Sequence, residues 1–157
     1  MELPVVNHPD YVAEINDDNK FPIQKFSALA EHLLKVGVVK NFYIPKECST
    51  ETLKTSHSLE YINHIRNKTL DIKLQKKIGF PINDSVVRRS FVATGGTVLA
   101  SKLALDSKLA CNTAGGSHHA TFDYGAGFCV FNDVAVSANY LRNKGYVKKI
   151  LILDLDV

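Results

Sequence analysis

Hydrophobic and polar positions along the chain change period several times, and each change marks an element. Residues 3–7 form a short apolar run that closes at His8-Pro9 and predicts a strand. Beyond the polar stretch 16–20, Phe21-Pro22 opens a segment in which Phe26, Leu29, Ala30, Leu33 and Leu34 recur at three- and four-residue intervals. That spacing puts them on one helical face, and Gly37 is placed to end the helix. Phe42-Tyr43-Ile44 reads as a second short strand, closed by Pro45. Ser49 and Thr50 are positioned to cap a helix over 51–55, and Ser58 one that carries Leu59, Ile62 and Ile65 on one side. The Lys-rich stretch 68–77 predicts a loop. A long helix follows from caps among Asn83, Asp84 and Ser85, with Val87, Phe91, Thr94, Val98 and Leu105 inward. Gly95-Gly96 sits in its middle at a cost of about 1 kcal/mol per glycine relative to alanine, which predicts close backbone packing there.

The last third alternates. Residues 109–112 predict a short buried strand and 114–127 a glycine-rich loop. A helix from about Asn132 carries Val134, Ala138 and Leu141 on one stripe, with Gly145 as its C-cap. Residues 149–157 form a strand whose apolar run, Ile150 to Leu153, suits burial on both faces. Strand, loop, helix and strand in this order make a βαβ unit, so the class is α/β: a partial parallel sheet with helices on both faces.

Composition narrows the picture without changing it. A length of 157 residues suits one domain, and 45% hydrophobic against 22% charged residues can bury a core. The net charge is +3, and no Lys/Arg run is interleaved with aromatics, which argues against a nucleic-acid partner. The pairs Lys76–Lys77, Arg88–Arg89 and Lys148–Lys149 read as solvated faces. Met1-Glu2 is followed by neither a basic leader nor an apolar core, and no apolar run nears the roughly 18 residues of a membrane span. Cys48, Cys111 and Cys129 show no close pairing and read as free thiols, two of them inside apolar segments. A soluble, cytoplasmic protein is the expectation.

Two polar clusters fall where such a sheet places an active site, beyond the carboxyl ends of its strands. One is Gly115-Gly116-Ser117-His118-His119; the other is Asp154-Leu155-Asp156. Taken singly, each has a plain alternative: polar loop histidines, a turn or cap at Asp-x-Asp, a tight turn at the glycine pair. Both clusters lie in register with one βαβ unit, and neighbouring parallel strands are about 4.8 Å apart, so the two can share a pocket. Buried carboxylates there call for a metal, a histidine or both.

Three consecutive stretches sharpen this reading: 112–120 (Asn-Thr-Ala-Gly-Gly-Ser-His-His-Ala), 127–133 (Gly-Phe-Cys-Val-Phe-Asn-Asp) and 150–157 (Ile-Leu-Ile-Leu-Asp-Leu-Asp-Val). In this order they resemble three motifs of the histone deacetylase family, in its bacterial and class IV-like form. Phe21-Pro22, His57 with Tyr61, and Ile78-Gly79-Phe80-Pro81 are similar to the same group. The resemblance implies an arginase-like fold and zinc-dependent hydrolysis of an acyl-lysine or a small acetylated amine. It implies Asp156 as a Zn²⁺ ligand, with Asp154 orienting one histidine and helping to hold a structural monovalent cation. It further implies His119 as general base and acid, His118 as its electrostatic partner, and Gly127 and Phe128 as lining of the substrate channel. Ala126 departs from the acidic residue usual in close relatives, which alters charge at the channel rim.

The family pattern continues after Asp-x-Asp with x-His, whereas the chain ends at Val157. The resemblance therefore implies that residues 1–157 are the N-terminal half of a truncated domain, with the remaining zinc ligands and the transition-state tyrosine outside it. On that expectation the isolated chain is inactive unless a C-terminal fragment complements it. The alternative is a non-catalytic remnant or interaction fragment.

Overall fold

The structure, a computed structural model, describes residues 3–16 and 18–156. Its sheet is small and parallel. β1 (Val5–Val6) pairs with β2 (Cys111–Asn112) in the register Val5–Cys111 and Val6–Asn112. On its other side Val6 bridges Tyr43, again in parallel, with Tyr43 N donating to Val5 O at 2.9 Å. β1 is therefore the central strand, and its two valines are buried because both sides and both faces are occupied. The expected strand at 42–44 is reduced to this one bridge. The expected strand at 109–112 shrinks to β2, with Leu109 and Cys111 exposed instead of buried.

Among the described residues there are six α-helices: α1 (Lys25–Lys35), α2 (Thr50–Leu53), α3 (Leu59–Arg66), α4 (Ile72–Ile78), α5 (Asp84–Ser107) and α6 (Asp133–Asn143). Their starts follow side-chain caps. Ser49, Ser58, Asn83 and Asn132 each accept a backbone N–H of the first turn. α1 lacks such a cap and begins at Lys25, later than Phe21-Pro22 suggests. The Lys-rich stretch is not a loop. Asp71 accepts from Lys73 N, Ile78 is fully buried, and Gly79 ends α4 at φ +83°, so a cap, an anchor and a left-handed stop outweigh the polar composition.

α5 packs against β1, β2, the 3-10 turn Pro9–Tyr11 and α6. Its buried face carries Phe91 and Thr94, as the spacing predicts, and also Val92 and Arg89, whereas Val87, Val98 and Leu105, expected inward, are only half-buried. The Arg88–Arg89 pair is thus split. Arg88 is exposed and bonds Asp10 and Glu47, whereas Arg89 lies inside, its Nε donating to the Tyr11 carbonyl at 2.9 Å and its guanidinium 4.8 Å from the Phe26 ring. The glycine pair is explained by contact: a Cβ on Gly95 would lie 2.0 Å from Lys46 O, and one on Gly96 would lie 2.0 Å from the Tyr11 hydroxyl.

Two apolar faces are narrower than their spacing suggests. In α1 only Phe26 and Ala30 are buried, while Leu29 and Leu34 are exposed. In α6 the buried positions are Asp133, Val136 and Ser137, turned from the stripe Val134, Ala138 and Leu141, which is half-buried.

The largest departure is at the C-terminal end. Residues 149–156 form no strand and pair with nothing in the sheet, and Leu151, Leu153 and Leu155 are exposed. Val157 lies outside the described residues. Burial on both faces needs a partner strand on each side, and the described residues provide neither. Among the described residues no helix is long and apolar enough to cross a membrane.

Candidate active site

The loop that leaves β2 turns twice through left-handed backbone, at Gly115 (φ +110°) and Gly116 (φ +76°), and His118 and His119 follow this reversal onto the wall of a cavity. The rings of the two histidines meet edge to face, 4.0 Å between centroids. Residues 152–156 pass opposite them. Asp154 Oδ2 lies 3.3 Å from His118 Nδ1, and Asp156 Oδ2 lies 3.7 Å from His118 Nε2. Asp154 also accepts from Asp156 N at 3.0 Å, a local turn that aims both carboxylates the same way. His118 is half-buried; both aspartates are exposed.

Gly127 and Phe128 close another side. Both adopt positive φ, +53° and +64°, and the conformation is pinned by Gly127 N donating to Lys77 O and Phe128 N to Ile78 O. A Cβ on Gly127 would stand 2.7 Å from the His119 ring, so glycine is what lets that imidazole lie against the backbone. Phe128 stacks among Phe21 and Phe80, with centroids 5.2 and 5.3 Å away. His118, His119, Gly127, Phe128, Asp154 and Asp156 thus all line one open cavity of about 750 Å³.

The donor set fits a metal ion. Ligand atoms of His118, His119 and Asp156 lie within 4.8 Å of one another, the only such group among the described residues. Cys129, also on the wall, is a poor candidate ligand, since burial raises its thiol pKa and keeps the proton on.

The histone deacetylase domain model matches residues 19–157 of the chain. The chain belongs to the histone deacetylase family. An uncharacterised protein of Picosynechococcus sp. (strain PCC 7002) is 43% identical over 159 residues, covering 100% of this chain and 53% of its own length. The acetoin utilization protein AcuC of Staphylococcus aureus (strain COL) is 28% identical, covering 90% of the chain and 39% of its own length. The crystal structure of an HDAC homolog from Aquifex aeolicus superposes with a TM-score of 0.74 at 24% identity, over 93% of the chain and 42% of that structure. The chain thus spans about half the length, or less, of the relatives it matches.

Several residues that shape this cavity carry no role in the motif resemblance. His57 is buried, its Nε2 accepting from Asn132 N at 2.9 Å, so the ring proton sits on Nδ1, a buried atom without a hydrogen-bond partner among the described residues. Burial lowers its pKa from the ordinary value. Arg89 lines the cavity; burial lowers its pKa to about 10, which leaves it cationic at neutral pH. Asn132 and Asp133 both bond the histidine loop. The Asn-Asp pair before an apolar helix is a visible cap signal, but a cap alone does not announce a second set of partners. Arg89 had no such signal, because a paired arginine reads as surface.

Proposed function

We propose that residues 1–157 are the N-terminal half of a zinc-dependent deacetylase domain that hydrolyses the amide of an acetylated lysine or a small acetylated amine. The observation that carries this is the convergence of His118, His119 and Asp156 on one cavity wall, with Asp154 behind His118. Asp156 would hold the zinc, together with ligands from the rest of the family domain. When bound, zinc lowers the pKa of its water to about 7 and polarises the scissile carbonyl.

The chain's own residues divide the remaining work. Asp154 faces His118 Nδ1, which favours the tautomer protonated there and turns Nε2 towards Asp156 and the cavity. His118 is thereby held in one orientation beside the site where negative charge develops. His119, at ring contact with it, takes the proton from the attacking water and returns it to the leaving amine. The Gly127–Phe128 turn supplies a backbone carbonyl and an aromatic wall for an acyl-lysyl stem, and the aromatic group Phe21, Phe80 and Phe128 keeps that wall apolar. The exposed Asp154 backbone region is where a monovalent cation would complete the support.

The test joins the chain to a C-terminal segment of the family domain and assays acetyl-lysine peptides and acetylated small amines, with zinc and with chelator. Turnover should need both the segment and the metal, and His119→Ala should lower kcat by about 10²–10⁴-fold. A His119→Ala enzyme at near-full rate would remove the assignment of His119.

A further inference from the structure

Asn132 and Asp133 are consecutive residues at the start of α6, and they grip the histidine loop at different points. The Asp133 carboxylate is 1% exposed. It accepts from Ser117 N at 2.7 Å, from Gly116 N at 3.2 Å and from the Thr97 hydroxyl. A Cβ on Gly115 would stand 2.6 Å from its Oδ2, so the loop backbone lies directly on the carboxylate. Asn132 caps α6 through Oδ1, while its Nδ2 donates to the carbonyls of His118 and Ala120, each at 3.1 Å. Its backbone N–H is spent on His57.

Helix capping does not account for Asp133. Asn132 already caps α6, and an acid serves a helix N-terminus as well when it is exposed. Among the described residues no cation forms a salt bridge with this carboxylate, although buried Arg89 is near enough to feel its charge; hydrogen bonds must satisfy it, and all three donors come from other elements: the loop and α5. We propose that Asp133 is a positioning residue. Its carboxylate sets the Gly116 and Ser117 peptides, and thereby the direction in which His118 and His119 enter the cavity, while Asn132 holds the two carbonyls that follow. Only its consequence for turnover rests on the deacetylase reading; the hold on the loop is independent of it.

Amide hydrogen exchange on the 157-residue chain tests the hold directly. Gly116 and Ser117 should be protected in the wild type although they lie outside helix and strand. In Asp133→Asn they should exchange about tenfold faster or more, as expected for the loss of a charge-assisted hydrogen bond, while Val92 and Val136 keep their protection. Equal exchange in the two proteins overturns the proposal. Should the variant fail to fold, the wild type decides alone, because unprotected Gly116 and Ser117 amides overturn it equally. In the chain joined to its C-terminal segment, Asp133→Asn should lower kcat by about 10–100-fold with little change in KM, a split that general destabilisation would not produce. Wild-type inactivity with a protected loop would sink the deacetylase reading and leave the hold intact; an unchanged kcat in a variant with a loosened loop would overturn the positioning role.

Discussion

His57 ties the scaffold of the site to pH. Burial disfavours its protonated form, so its folded pKa lies below the ordinary 6.5 of the unfolded chain. Above pH 6.5 both states are neutral at this residue and stability is complete. As pH falls below 6.5 the unfolded chain takes up the proton first, and stability drops by up to about 1.4 kcal/mol per pH unit until the folded pKa is reached. The melting temperature should therefore fall between pH 6.5 and 5, and His57→Gln, which keeps an acceptor for Asn132 N, should flatten that dependence. A wild-type profile as flat as that of the variant would contradict it. The metal site yields a second expectation at this scale. If Asp156 is the ligand and the histidines handle protons, the chain alone offers one of the three protein ligands that catalytic zinc requires. Calorimetric titration at neutral pH should show no sub-micromolar site. Tight stoichiometric binding lost in Asp156→Ala would mean that His118 and His119 are ligands too.

Among the elements, α5 shows most directly how packing overrides propensity. Alanine at position 95 would gain about 1 kcal/mol of helix propensity. Its Cβ, however, would meet only backbone: Lys46 O at 2.0 Å and Cys48 N at 3.0 Å, in a segment fastened to the helix by Cys48 N donating to Phe91 O. Overpacking of this kind costs about 1–3 kcal/mol, and the obstructing atoms are not a flexible side-chain tip. Gly95→Ala should therefore lower stability in chemical denaturation, with the midpoint shifted down and the slope unchanged; a rise in midpoint would show that residues 46–48 yield. The close approach was legible in the sequence because two adjacent glycines in a helix ask for a reason. The caps at Ser49, Ser58, Asn83 and Asn132 were legible likewise, since side-chain capping is local chemistry. α4 was not, because its helix depends on Ile78 being buried by other elements, a non-local fact that Lys73, Gln75, Lys76 and Lys77 hide. Arg89 was misread for the same reason: its burial is decided by Tyr11 and Phe26, far away in the chain.

For the molecule as a whole, the grouping of the candidate site residues was more legible than the sheet that should carry them. The six residues singled out from motif resemblance line one cavity, and what is local there, the turns at Gly115-Gly116 and Gly127-Phe128, is visible as glycine in the motifs. Strand 149–157 was expected from an apolar run, yet a strand exists only where a neighbour accepts its hydrogen bonds, and sequence does not say whether one is present. The outcome is an apolar row turned to solvent, with Leu151 90%, Leu153 76% and Leu155 80% exposed. Covering a leucine fully is worth roughly 1.5–3 kcal/mol, against a whole-domain stability of about 5–15 kcal/mol. Contiguous apolar surface of this kind drives association. The chain alone should self-associate in sedimentation experiments at micromolar concentration, and replacing Leu151, Leu153 and Leu155 together by serine should return it to a monomer. A C-terminal segment of the family domain that covers the row should raise the melting temperature of the wild type and not of the triple variant. A wild-type monomer that melts sharply, with the Ile150 and Ile152 amides strongly protected, would show that residues 149–156 are held without a cover and that the argument from the exposed row is wrong.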